Sequence, residues 1–369
     1  MKKEVYLTSI CRPKQWKTIS TKDLKESGFP DYGANGKIGF YDNYTHKDPT
    51  LLITCRGATC GSINISEPKS YVNGNAMALD GLSQDVDLYY LAHYLRFRKL
   101  DDVISGSAQP QITGQGLSKI KIPLPPLDQQ KKIASILDAA DEYRQKTKAL
   151  IAKYDELTQS LFLDMFGDVK INPFSFSKTI LNAVCNKITD GEHGTVERTD
   201  NGKLYLMARN IRDNYIDLTD VSYISEKDHQ KIYKRCNAEK GDILIVCVGA
   251  TIGRLCITPE MEDFSLARSV ALLKPNKEKI ESNFLYSILN TKYIQEVIKR
   301  SGNSSAQAGL YTGKIKELEI YLPPIKLQTQ FAERVQVIEK QKAQAQASLE
   351  KAEELFNSLL QRAFRGELV

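Results

Sequence analysis

The sequence is poor in the residues on which metal and covalent chemistry usually rest. It holds four histidines, His46, His93, His193 and His229, and no two stand at metal-ligand spacing. Seven cysteines lie scattered at 11, 55, 60, 185, 236, 247 and 256, an odd number with no Cys-x-x-Cys pair. That argues against a disulfide framework or a zinc site and for buried thiols in a reducing compartment. No apolar run approaches the ~20 residues needed to span a bilayer. The N-terminal MKKEVYLTSICRPKQW carries basic residues but no apolar core of signal-peptide length. A cytoplasmic protein with no membrane segment is expected. The stretch GATIGR, Gly249–Arg254, lacks the Lys-Ser/Thr of a P-loop. Pro30-Asp31 with Glu67-x-Lys69 superficially resembles a metal-dependent nuclease set, but the separation is long and Pro68 interrupts it. No catalytic residue and no metal ligand is assigned.

What the chain does have, it has twice. Ile120 to Gly167 reads IKIPLPPLDQQKKIASILDAADEYRQKTKALIAKYDELTQSLFLDMFG, and a second version closes the sequence from Leu318 to Arg365. Subtracting 198 from a position in the second copy gives its partner in the first, without a gap. Leu124-Pro125-Pro126 falls on Leu322-Pro323-Pro324, Gln130 on Gln328, Leu157 on Leu355 and Phe166 on Phe364. A repeat of this kind fixes the architecture before any local detail does.

Each copy reads as a long helix. Paired prolines end an extended strand and suit the first helical turn, and no Pro or Gly follows until Gly167 or Gly366. In copy one, Ile133, Ile136, Ala140, Tyr143, Thr147, Leu150, Tyr154, Leu157 and Leu161 alternate spacings of three and four, a heptad seam. Copy two keeps Phe331, Ile338, Ala345, Ala352, Leu355 and Leu359 but puts Arg334, Gln341 and Ser348 on the seam, which is therefore weaker. A homodimeric coiled coil is the plain alternative. Two matched copies at fixed separation favour an antiparallel pair within one chain, because otherwise two apolar stripes would stay uncovered.

The 369 residues are too many for one ordinary core. The division expected is a first module at 1–125, a spacer helix at 126–168, a second module at 169–323 and a second spacer helix at 324–369. Net charge is +6 in total: +4, −2, +3 and +1 for these segments in order. The excess sits on the modules, as suits two heads that meet a polyanion on spacers that do not. In the first module, Leu51–Cys55 and Ser62–Ile65 read as strands around a Gly57/Gly61 turn. Asn75–Leu79 reads as a third strand and Asp87–Ile104 as a helix. The second module repeats this plan: Gly249-Ala250-Thr251 falls on Gly57-Ala58-Thr59, Ser269–Leu272 on Ala76–Leu79, and Ala306-Gln307 on Ala108-Gln109. Phe284–Lys299 reads as the matching helix. The front of the second module, ITDGEHGTVERTDNGKLYLMARNIRDNYIDL, has no clear counterpart. The fold class expected is α+β: two mixed α/β modules separated by two long antiparallel helices forming an intramolecular coiled coil, with pseudo-twofold symmetry.

LPPLDQQKKIASILDAADEYRQ, LTQSLFLDMFGD, YLPPIKLQTQF and SLLQRAFRGEL, with the segments YGANGKIGFYD, TCRGATCGSI, TDGEHGT and ARNIRDNYIDL, resemble the DNA-specificity subunit of type I restriction–modification systems. The resemblance covers essentially the whole chain. It implies that each module is a target-recognition domain reading one half of a split double-stranded DNA sequence. It implies too that the helices set the gap and dock two methyltransferase subunits, and that separate restriction/translocase subunits cut. S-adenosylmethionine, ATP and Mg would then sit on partners and no cofactor on this chain. Adenine methyltransferases carry an Asn/Asp-Pro-Pro-aromatic motif; Asn172-Pro173-Phe174 lacks the second proline and a preceding Gly-rich loop. A helix of about 37 residues would be roughly 55 Å long, which places two readers about one to one and a half DNA turns apart.

Basic side chains position a protein on phosphates, and bidentate ones read bases. The candidates are Lys14, Lys17, Lys37 and Arg56 in the first module. In the second they are Arg209, Arg212, Lys231, Lys234 and Arg235, with His193 in the Asp190–Thr195 loop. Each is also readable as a solvated surface charge. Gln109 and Gln307 sit in matched polar loops and either reach bases or cap the loops. The rival function is an enzyme, a nuclease or methyltransferase fused to a dimerisation helix, and it requires a clustered acidic or cofactor-binding site.

Overall fold

The computed structural model describes residues 3–34, 36–106, 109–303 and 309–368. The chain divides into two compact units, Met1–Ala149 with Gln346–Val369, and Leu150–Ala345. Each long helix is therefore shared out. The first rod helix, Leu127–Phe166, gives its start to unit one and its end to unit two; the second, Ile325–Arg365, does the reverse.

In unit one the strand Lys3–Tyr6 pairs antiparallel with Lys121–Leu124, just before the prolines. A four-stranded antiparallel sheet runs in the order Arg12–Gln15, Ala76–Asp80, Leu51–Thr54, Ile63–Ile65. Its central strands are apolar up to their last residues, Thr54 and Asp80, because both faces are covered. Side chains alternate along a strand, so Leu51, Ile53, Met77 and Leu79 enter one core, shared with the helix Leu88–Arg98. Leu52, Ala76 and Ala78 enter a second core with Tyr32, Val72 and Trp16. That second core carries a small sheet of Gly36–Tyr41, Phe29–Gly33 and Tyr71–Val72, the last pair parallel.

Unit two is built the same way. Ser177–Ile180 pairs with Glu319–Leu322. The four-stranded sheet is Cys185–Asp190, Val270–Pro275, Ile243–Val246, Leu255–Ile257. Ile243, Ile245, Ala271 and Leu273 face one core; Leu244, Val246, Val270 and Leu272 face the other. On the second core lies a larger front sheet: Arg198–Thr199, Ser222–Ile224, Lys203–Leu206 and Ser265–Leu266. The helix Glu226–Arg235 buries His229 and Ile232 there. The turn that joins an inner strand to the last edge strand, Leu51–Thr54 to Ile63–Ile65 and Ile243–Val246 to Leu255–Ile257, needs a left-handed backbone in both units, and glycine supplies it: Gly57 and Gly61 at φ 92 and 93°, Gly249 and Gly253 at 78 and 89°. The helix expected over Phe284–Lys299 is instead two, Ser282–Leu289 and Lys292–Asn303. They are separated where Thr291 folds its hydroxyl onto the Ile288 carbonyl at 2.7 Å.

The rod helices pack antiparallel within each unit. In unit one, Arg144 lies 4.3 Å over the Phe356 ring and Lys148 pairs with Glu353 at 2.9 Å. In unit two, Asp155 pairs with Lys342, and Met165 Sδ lies 3.9 Å from Arg334. The seam differs from the expected one in half its positions. Ile133, Ala140, Thr147, Tyr154 and Leu161, with Phe331, Ile338, Ala345, Ala352 and Leu359, are buried or half-buried. The alternating row is one residue later than expected: Leu137, Arg144, Ile151, Thr158 and Met165, matched by Val335, Lys342, Leu349, Phe356 and Ala363. Tyr143, Leu150, Leu157 and Leu355 point outward at 55, 42, 49 and 55% exposure, and Ile136 is only half-buried. Spacings of three-four and four-three both close a heptad, so periodicity alone does not choose between them. The second helix is consequently not the weaker one. Its inner row holds Val335, Leu349 and Phe356, while Arg334 and Gln341 face outward and Ser348 is half-buried.

Candidate nucleic-acid interface

The second unit's front is assembled from loops that side chains pin in place. Asn210 is buried and stitches the ARNIRDNYIDL loop: its Oδ1 accepts from the Met207 amide at 3.0 Å. Its Nδ2 donates to the Asp217 and Asp220 carbonyls at 3.0 and 2.9 Å. Arg209 pairs with Asp220 at 3.0 Å and reaches Ser222 Oγ at 3.0 Å. Arg212 pairs with Asp217 at 3.0 Å. The Thr219 hydroxyl and amide, then Arg212, hold the Asp217 carboxyl below the usual range. Both arginines are thus engaged in loop structure.

The TDGEHGT loop is held from beneath. Gly191 leaves no room for a Cβ, which would stand 2.1 Å from the Leu266 carbonyl oxygen. Arg235 donates to the Gly191 carbonyl at 2.6 Å and lies 3.4 Å from Asp190. His193 is exposed, with Nε2 2.7 Å from Asp190 Oδ2. Lys231 and Lys234 are exposed on the helix Glu226–Arg235. With Lys227 they form one stripe at helical spacing, and none of the three has an ion-pair partner among the described residues.

In the first unit, Lys37 pairs with Glu67 at 3.1 Å and lies 4.6 Å from the Phe40 ring. Lys14 sits 3.8 Å over Trp16. Lys17, Arg56 and Gln109 are exposed. Gln307 lies outside the described residues. Asp31 and Glu67 are separately engaged: Asp31 is fully buried beside Asn73 at 3.5 Å, and burial pushes its carboxyl upward. Glu67 accepts from Tyr32 and Lys37. Among the described residues no three His, Cys, Asp or Glu side chains come together as a metal site, and no helix is long and apolar enough to cross a membrane.

Two buried glutamines carry a role that the sequence reading missed. Gln130 and Gln328, both at 0% exposure, stand in the first turn of each rod helix. Gln130 Nε2 donates to the Pro125 and Asp85 carbonyls at 2.8 and 2.9 Å, and its Oε1 accepts from the Asp87 amide at 2.9 Å. Gln328 does the same with Pro323 at 2.8 Å, Lys279 at 3.3 Å and Glu281 at 3.0 Å. Asp87 and Glu281 are the N-caps of Leu88–Arg98 and Ser282–Leu289. Those helices press Tyr90 and Phe284 onto the paired rods, against Leu137 and Phe356 in unit one and against Phe162, Phe166 and Phe331 in unit two. The signal in the sequence was the matched Gln in two polar DQQ and KLQ contexts.

Residues 2–158 and 165–354 match the family described as "Type I restriction modification DNA specificity domain". The Escherichia coli type I restriction enzyme EcoBI specificity subunit is 29% identical over 289 residues, 70% of this chain and 60% of that protein. The MjaVIII specificity subunit of Methanocaldococcus jannaschii is 23% identical over 331 residues, 84% of this chain and 77% of that one. In fold the chain resembles the crystal structure of the type I restriction–modification S subunit from M. genitalium. The TM-score is 0.70 at 18% identity, covering 98% of this chain and 95% of that one.

Proposed function

The chain belongs to the type I restriction modification DNA specificity family, and we propose that it is the non-catalytic, sequence-specific DNA-binding subunit of a type I restriction–modification complex. Each recognition domain reads one half of a two-part double-stranded target, and the rod pair sets the gap. Two methyltransferase subunits dock on the rods, and restriction/translocase subunits join them. S-adenosylmethionine, ATP and Mg belong to those partners, and the complex works in the cytoplasm. The four-part division at 125, 168 and 323 names the working pieces.

One observation carries this reading: a single scaffold is built twice, and the part that differs is the front. Inner sheet, glycine turn, buried glutamine and rod start recur, while the second core carries a three-stranded sheet in one unit and a four-stranded sheet with a helix in the other. Two readers of different half-sites need that arrangement. Within the second front, Lys227, Lys231 and Lys234 are among the cations open to phosphates, and His193 is exposed too. Arg209, Arg212 and Arg235 shape the loops that present base-reading groups. In the first front, Lys14, Lys17, Arg56 and Gln109 are exposed for the same task. The outward row Tyr143, Leu150 and Leu157 is the apolar surface offered to a methyltransferase.

The purified chain alone is expected to leave DNA unmethylated and uncut. With its methyltransferase it confers adenine methylation at one two-part sequence. Methylation or cleavage by the chain alone contradicts the proposal.

A further inference from the structure

The buried glutamines sit where each recognition domain meets its rod. In each unit one side chain ties three segments together: the proline turn that leaves the domain, the first turn of the rod helix, and the N-cap of the domain helix lying on the rods. Three of the carboxamide's four hydrogen-bonding directions are used. Two N–H groups donate to two carbonyls, and the oxygen accepts an amide whose own helix cannot satisfy it. Burial makes the arrangement stiff: tilting the domain about the proline turn would leave a donor and two acceptors unpaired away from water. Apolar contacts at the same junction, such as Phe284 on Phe162 and Phe166, are less directional and tolerate sliding.

We propose that Gln130 and Gln328 are positioning residues that fix the angle between each recognition domain and its rod, and thereby hold the target to a single gap length. The proposal rests on the reading of the chain as a two-part DNA reader. The duplication supplies the independent support: the same side chain makes the same three bonds in two units whose fronts have diverged.

The test uses the complete complex with its methyltransferase subunits, and maps methylated adenines across a host genome. The variants are Gln130→Leu and Gln328→Leu, which keep the bulk and lose every bond, and Gln130→Glu and Gln328→Glu. The glutamates keep the acceptor for the Asp87 or Glu281 amide and lose the donors. The expected result is that both half-sequences persist while sites whose gap is one base pair longer or shorter gain at least about tenfold in relative methylation. The Leu variants broaden the gap more than the Glu variants. A purely structural role lowers the melting temperature and total methylation without moving the gap preference. Glu variants that methylate at one gap only, or not at all, overturn the proposal. If the unaltered complex methylates a continuous sequence, the two-part reading itself fails, which is a separate outcome.

Discussion

The two rod helices agree on the face they turn to each other and disagree on the face they turn outward. Inward, Leu137, Ile151 and Met165 match Val335, Leu349 and Ala363, and the shared basic position is Arg144 or Lys342. There the alkyl stems are covered while the heads reach Asp141 and Asp155. One step round each helix, Ile136, Tyr143, Leu150 and Leu157 correspond to Arg334, Gln341, Ser348 and Leu355. Packing is a demand both copies share, so their inner row stays similar. The outer row is not held by that demand, and copy one has an apolar one.

The comparison breaks most easily at the inner row. Phe331→Ala removes a ring packed on Phe162 and Phe166. It is expected to cost about 3–5 kcal/mol and to lower the melting temperature on the order of 10 °C. Calorimetry reads it directly. The outer row should answer in the opposite way. Tyr143→Ser, Leu150→Ser and Leu157→Ser each shift stability by no more than about 0.5 kcal/mol, yet together weaken assembly with the methyltransferase tenfold or more, as measured by titration calorimetry. Equal loss of stability from both rows would erase the distinction.

The two fronts offer a finer contrast. Replacing Lys231 and Lys234 by alanine should lower the slope of log affinity against log salt by roughly 1.8. Cognate and unrelated DNA lose affinity alike. Arg212→Ala should instead disturb the loop that Asp217 anchors, and alter which sequence is preferred. Filter binding across a salt series separates these outcomes. The smallest effect is one of pH. Burial against the front core holds His229 below its ordinary 6.5, with Ser265 Oγ 3.0 Å from Nδ1. Below about pH 6.5 the unfolded chain therefore takes up a proton that the folded one resists, so stability falls as pH drops through that range. His229→Gln should flatten the fall in melting temperature between pH 7.5 and 5.5; an unchanged fall assigns it to other groups.

Much of this architecture was legible in the sequence. The offset of 198, the paired prolines and the glycine turns each report a local constraint with one solution. The strands Leu51–Thr54 and Ile243–Val246 showed as apolar runs because both their faces are covered. The seam frame was not legible from one helix, since Tyr143, Leu150 and Leu157 are as apolar as the row that packs. The offset of 198 chooses correctly when both rows are compared: Leu150 corresponds to Ser348, while Ile151 corresponds to Leu349. Which arginines are engaged was hidden for a different reason. Asp217 and Asp220 meet Arg212 and Arg209 only after Asn210 has closed their loop, and that closure is a tertiary event. Gln130 was visible as a matched residue, but two of its three bonds join segments more than forty positions apart.

The central claim, that a duplicated rod separates two readers, is tested most directly by inserting one matched heptad into each rod helix and mapping the methylated adenines of the complete complex. Seven residues add about 10 Å of helix, close to three base pairs at ~34 Å per turn. The account predicts both half-sequences unchanged and the gap longer by about three base pairs. A gap that stays the same, or a half-sequence that changes, would contradict it.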